Sequence, residues 1–138
     1  MKPTLQPGIS LVRRVPVGSD KTISFMGEEA RVYATPYLIG DIEHTCRNLI
    51  LDHAEPDEDS VGIEVAIKHL APTLPGSTIE IAASVTAVEG RKVIFAVTAK
   101  DEIDTISCGS HARFVVDKAK TIERLKAKAA KLQTCRPG

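Results

Sequence analysis

Residues 34–54, ATPYLIGDIEHTCRNLILDHA, constrain this chain more than any other stretch. Thr35 followed by Pro36 is a helix-start signal, because Thr caps a free backbone N–H and Pro is tolerated in the first turn. Leu38, Ile42, Leu49 and Ile50 line one stripe, with Cys46 between them, and Ile39 and Leu51 widen it. A helix this apolar has to be wrapped by other structure. Yet Glu43 and His44 sit in its middle, and an acidic side chain inside a wrapped helix needs a partner or a task.

The wrapping has to come from strands. Residues 9–17 and 21–25 read as short strands separated by the turn residues Gly18, Ser19 and Asp20. After the helix, residues 55–60 (EPDEDS) read as an exposed acidic loop. Then the pattern alternates. Residues 62–70 place Ile63, Val65, Ile67 and His69 on one face. Residues 78–89 alternate through Ile79, Ile81, Ala83 and Val85, and Glu89-Gly90-Arg91 signals a hairpin. Residues 92–101 put Val93, Phe95, Val97 and Ala99 on one face. Residues 106–116 form a last long strand with Cys108, Ser110, Ala112 and Phe114 in phase with Ile106. Asp117 is placed to cap a basic amphipathic helix over 118–133, striped by Ile122, Leu125, Ala129 and Leu132. Hairpin-length loops favour antiparallel neighbours. The expected architecture is α+β: a curved antiparallel sheet of five or six strands wrapped around one long central helix, plus a short C-terminal helix, all in a single domain over 1–138. Residues 1–8 and 134–138 are expected to be loose.

Composition narrows the function. Lys plus Arg and Asp plus Glu number 18 each, so no basic face for general nucleic-acid binding is expected. Aromatic residues make up 4% with no Trp, which argues against a base-stacking platform. No apolar run reaches the roughly 18 residues of a membrane span. Cys46, Cys108 and Cys135 fit neither a disulfide framework nor a zinc pattern, so a reducing cytoplasm and no metal or cofactor are expected.

Each polar residue near the core has two readings. Glu43 is either a surface carboxylate paired with Arg47 one turn on, or a general base held in an apolar wall. His69, in phase with Ile63, Val65 and Ile67, is either a core histidine or half of an acid–base pair with Glu43 across the core. Thr35 caps the helix or presents its hydroxyl, at the positive helix end, to a carbonyl oxygen. Gly62 ends a turn or lets a substrate approach the backbone. His111 and Arg113 share the face opposite Phe114, where a solvated strand face is the default and a phosphate or carboxylate contact the alternative. Neither an esterase elbow nor a phosphate loop nor a dinucleotide fingerprint is present.

Taken together, the strings VYATPYLIGDIEHTC, SVGIEVAIKHLAPTLPG, VEGRK and GSHARFVV resemble the hot-dog fold acyl-CoA thioesterases of the fluoroacetyl-CoA thioesterase type, over roughly residues 11–118. The resemblance implies a hot-dog fold and hydrolysis of an acyl-CoA to free acid and CoA. It implies Thr35, Glu43 and His69 as catalytic residues and Gly62 and Arg113 as substrate-binding ones. It also implies a homodimer with sites at the interface, Thr35 of one chain lying nearer Glu43 of the other. The residue types fit direct attack by water and a covalent intermediate on Thr35 or Glu43 alike. Fluoroacetyl-specific members carry phenylalanines just before the Thr; here FMGEEARVYAT offers only Phe25, so a different short or medium acyl group is expected. A hot-dog hydratase would need an Asp-x-Asn-x-x-His run, which Gly40-Asp41-Ile42-Glu43-His44 does not supply. A non-catalytic acyl-CoA sensor would bring a DNA-binding helical domain, for which 138 residues leave no room.

Overall fold

The computed structural model describes residues 1–135. Strand β1 (Ser10–Pro16) leads to helix α1 (Thr35–Leu51), followed by β2 (Glu58–His69), β3 (Thr78–Glu89), β4 (Lys92–Lys100), β5 (Thr105–Asp117) and helix α2 (Lys118–Cys135). The strands form one antiparallel sheet in the order β1-β3-β4-β5-β2. Its concave face closes over α1. The alternation of β3 and β4 sets that face: Ile79, Ile81, Ala83, Val85, Val93, Phe95, Val97 and Ala99 are all at most 2% exposed. They meet Leu38, Ile42, Cys46, Leu49 and Ile50 of α1, which are at most 3% exposed. Each such aliphatic or aromatic side chain contributes about 1.5–3 kcal/mol by leaving water, so this contact dominates stability.

Several expectations are corrected. Residues 21–25 are not a strand: Ser19–Lys21 is a 3-10 turn, and only an isolated bridge links Thr22 to Tyr33. The acidic stretch 55–60 is not wholly an exposed loop. β2 already begins at Glu58, and Glu58 and Ser60 are buried, Glu58 paired with both Arg91 and the Met1 amine. The lead-in is tied down rather than loose: Lys2 N–H donates to His53 O, Gly8 N–H donates to Val85 O, and Leu5 is in the core. At the other end α2 runs through Thr134 and Cys135, and 136–138 lie outside the described residues. On β5 the helix-facing side chains near α1 are His111, Arg113 and Val115, while Phe114 is 39% exposed. The face assigned to solvent is the inner one. Asp117 does cap α2, its carboxylate accepting the Lys120 N–H at 3.0 Å.

The two edges of the sheet differ. β1 is seven residues long, carries Arg13 and Arg14 and ends in Pro16. β2 is twelve residues long, bulged between Gly62 and Glu64, and exposes Val61, Ile63 and Val65. No helix is long and apolar enough to cross a membrane among the described residues.

The join of β2 to β5 depends on Gly109, opposite Ile67. A Cβ there would stand 2.1 Å from Ala66 O and 2.9 Å from Ile67 Cα, both backbone atoms that cannot swing aside. Gly109→Ala is expected to cost at least about 2 kcal/mol and lower the thermal midpoint by roughly 5–10 °C. A melting curve like that of the wild type would mean that the two strands can separate at no cost.

Candidate active site

Helix α1 begins one residue earlier than its sequence suggests. Ala34 is the N-cap, with Thr35 and Pro36 in the first turn. The Thr35 hydroxyl therefore does not cap the helix. It is hydrogen-bonded to His69 Nδ1 at 2.8 Å instead. His69 ends β2, beside Tyr33, whose ring meets it edge-on at 6.4 Å. Its Nε2 is buried with no hydrogen-bond partner. Burial lowers the His69 pKa, so the ring is neutral and carries one proton to share between two nitrogens. Tyr33 is anchored from below. Its hydroxyl donates to the buried Asp41 carboxylate, which Lys21 Nζ also reaches at 3.1 Å. An open apolar groove of about 400 Å³ runs past this pair, lined by Ile23, Phe25, Tyr33 and Leu70.

Glu43 lies two turns further along α1, half-buried. It does not pair with Arg47, which instead makes a bidentate bridge to Asp59 at 2.9 and 2.7 Å. Its neighbours are on β2 and β5. A Cβ placed on Gly62 would lie 3.3 Å from Glu43 Oε1, 3.3 Å from His111 Cε1 and 3.5 Å from an Arg113 guanidinium nitrogen, so the glycine keeps side-chain bulk away from these groups. Arg113 is 5% exposed. Its Nε donates to Ser60 Oγ and a second nitrogen donates to Ser60 O, both at 2.8 Å. The third nitrogen lies 3.3 Å from His111 Nε2. His111 Nδ1 lies 2.8 Å from Glu64 O. A carbonyl only accepts, so Nδ1 carries the proton and Nε2 accepts from Arg113. The ring stacks on Phe95 at 6.3 Å. Burial, and secondarily Arg113, lower the His111 pKa against the opposing pull of Glu64 O and Glu43. Cys46, close by, is no nucleophile, since burial pushes its thiol up to about 12. A small cavity of about 110 Å³ opens beside Glu43 and Arg113.

Within one chain, then, the five residues singled out from the sequence form two groups: Thr35 with His69, and Glu43 with Gly62 and Arg113. The expected facing of Glu43 and His69 across one core does not occur. Eight helical residues set Thr35 and Glu43 roughly 12 Å apart, and seven strand residues set Gly62 and His69 roughly 20 Å apart. In the sequence His111 stands out only as a residue in phase with Arg113. Its position opposite Phe95 in the hairpin register was the signal that it points inward.

The fold and sequence have relatives. The family model described as fluoroacetyl-CoA-specific thioesterase matches residues 17–119. The fluoroacetyl-CoA thioesterase of Streptantibioticus cattleyicolor is 36% identical over 89 residues, and the matched region spans 64% of this chain and 64% of that protein's length. A phenylalanine-to-alanine variant of a fluoroacetyl-CoA-specific thioesterase superposes with a TM-score of 0.82 at 30% identity, covering 90% of this chain and 97% of that one. The same variant, solved with fluoroacetate and CoA, gives 0.79 at 30%, over 85% and 99%. A thioesterase superfamily member of Thermus thermophilus gives 0.87 at 27%, over 97% and 99%.

The two neutral histidines make stability depend on pH. A folded-state pKa below the ordinary 6.5 means that the unfolded chain takes up the proton first. This contribution is therefore complete above about pH 6.5 and is lost as pH falls through the lowered folded values. Between pH 7.5 and pH 5.5 the thermal midpoint is expected to drop by less in His111→Gln than in the wild type. Parallel pH dependence in the two proteins would show that His111 is protonated as easily as in water.

Proposed function

This chain belongs to the fluoroacetyl-CoA-specific thioesterase family, and on that premise we propose that it hydrolyses a short or medium acyl-CoA thioester to the free acid and CoA, in a site completed by two copies of the chain. One observation carries the reading. The Thr35–His69 pair holds a buried, unpartnered ring nitrogen, while the carboxylate suited to be its partner lies on the far half of the same helix. The relative solved with fluoroacetate and CoA supports the substrate class.

The second copy supplies what one chain keeps apart. β2 is an edge strand with an exposed apolar middle. Two such edges paired about a two-fold axis run antiparallel, so the His69 end of one strand lies against the Gly62 half of the other. Thr35 and His69 then face Glu43, Gly62 and Arg113 of the partner subunit. That meeting also gives His69 Nε2 a polar neighbourhood.

In such a site the Glu43 carboxylate accepts a proton from water as the water oxygen bonds to the thioester carbon. The tetrahedral intermediate collapses, the C–S bond breaks, and the carboxyl proton passes to the departing sulfur. Thr35, fixed by His69, and the backbone beside Gly62 hold the carbonyl oxygen as it gains charge. Arg113, braced by Ser60 and His111, keeps positive charge beside the reacting carboxylate. The groove along Tyr33 and Leu70 receives the acyl chain. Phe25 is the single phenylalanine among its lining residues and is 81% exposed, so no phenylalanine cluster shapes this pocket for fluoroacetyl. The free cysteines and the substrate class suit a reducing cytoplasm.

Release of free CoA from a panel of acyl-CoAs is the direct assay. Glu43→Gln and His69→Ala are each expected to reduce kcat/KM by about 10²–10⁴ on the best substrate; near-normal rates in both would end the reading. Mixing Glu43→Gln chains with Thr35→Ala/His69→Ala chains is expected to restore about a quarter of wild-type activity, because half of the random dimers carry one intact site of two. No restoration would place all the groups within one chain. The acid limb of the rate profile assigned to His69 is expected below pH 6.5, since burial lowers its pKa; a limb above that value would exclude His69 as the titrating group.

A further inference from the structure

The proposed substrate carries several phosphate charges at its nucleotide end, and among the described residues the Glu43 half-site offers no free cation for them. Arg113 is buried on Ser60 and His111, and Arg47 is committed to Asp59. The missing cations are on the back of the same strand. Where β5 passes into α2, a cavity of about 130 Å³ is lined by Arg91, Phe114, Lys120, Thr121 and Arg124, with Asp117 as its one acid. Asp117 is occupied in capping α2 at Lys120 N–H. Arg91 is held in place by Glu58 at 3.0 Å and by Val115 O at 3.3 Å. Lys120 and Arg124 are exposed on α2.

Phe114 adds a second kind of contact. It follows Arg113 in the chain, so the strand turns Arg113 inward to Glu43 and Phe114 outward to this cavity. In register it lies between Val61 of β2 and Lys92 of β4. A 39%-exposed aromatic ring beside several cations suits a purine base flanked by phosphates. The position fits as well: Gly62 pairs in register with Arg113, the residue before Phe114, and a long flexible arm joins thioester to nucleotide in CoA. Charge points the same way. The first 117 residues hold 11 basic and 17 acidic side chains, whereas α2 carries six Lys and Arg and one acid, Glu123. A polyanion that avoids the acidic body meets its cations here.

We infer that the cavity between β5 and α2, with Lys120 and Arg124 as its phosphate contacts and Phe114 as its base contact, seats the nucleotide end of the acyl-CoA. The inference rests on the acyl-CoA reading of the site, and its test separates the two. The acyl group hydrolysed fastest is offered to the full chain as its CoA thioester and as its pantetheine thioester, which lacks the nucleotide. In Lys120→Ala/Arg124→Ala, on a helix with no buried side chain, KM for the CoA thioester is expected to rise about tenfold or more, while the pantetheine thioester is hydrolysed as by the wild type. The preference for CoA over pantetheine therefore collapses. Equal effects on both thioesters, or none on either, would overturn the inference. A wild-type chain that hydrolyses neither thioester would instead sink the thioesterase reading. Calorimetry with CoA and with pantetheine would then decide the nucleotide site alone: tighter CoA binding lost in the double variant upholds it, and equal binding of the two ligands overturns it.

Discussion

Eight residues of rigid helix separate Thr35 from Glu43, and most of what distinguishes this chain follows from that spacing. α1 has to be long to fill the concave face of the sheet. Its buried stripe, from Leu38 to Ile50, spans the width of the strands that cover it. A helix of that length carries the two candidate side chains, Thr35 and Glu43, at separate stations. Each station is served by a different part of β2: the strand's end brings His69 to Thr35, and its bulged beginning brings Gly62 to Glu43. The helix that builds the core therefore keeps Thr35 and Glu43 apart within one chain.

The Glu43 station is held by a chain of polar contacts that would be costly to leave open in a core. Ser60 takes two donors of Arg113, His111 takes a third, and the Glu64 carbonyl takes the remaining His111 proton. The chain starts and ends on β2, on either side of its bulge. An irregular edge strand is thus fastened to β5 by side chains where its backbone register slips. Half-satisfied, such a network would cost more than an apolar core; satisfied, it fixes one geometry for the guanidinium.

Much of this was legible in the sequence, and what was missed has a physical cause. The inner faces of β3 and β4 follow from strict alternation, because their burial is one-sided. β5 misled because Ile106 is in the core, but the register slips between Thr105 and Ser107, so the residues in sequence phase with it, Cys108 to Phe114, leave the inner face to His111 and Arg113; a buried polar network inverts the pattern that alternation relies on. Thr35 read as a cap because Thr-Pro is a cap signal, but His69, 34 residues away, claims its hydroxyl. Residues 21–25 have strand-like composition, yet no neighbouring edge is offered to them, and the local turn Ser19–Lys21 prevails. The grip of residues 1–8 on His53 and Val85 is a long-range pairing that no local pattern announces.

The unequal edges of the sheet have a consequence for growth. β1 is short, charged at Arg13 and Arg14, and stopped by Pro16, which has no N–H to offer another strand. β2 offers twelve residues with an apolar middle. A sheet that accepts a neighbour on one side and refuses it on the other can be extended only once. Were two copies joined through β2, as proposed, β1 would lie at both outer margins and the assembly would terminate itself. The same strand that invites association is thereby kept from seeding an open-ended fibre.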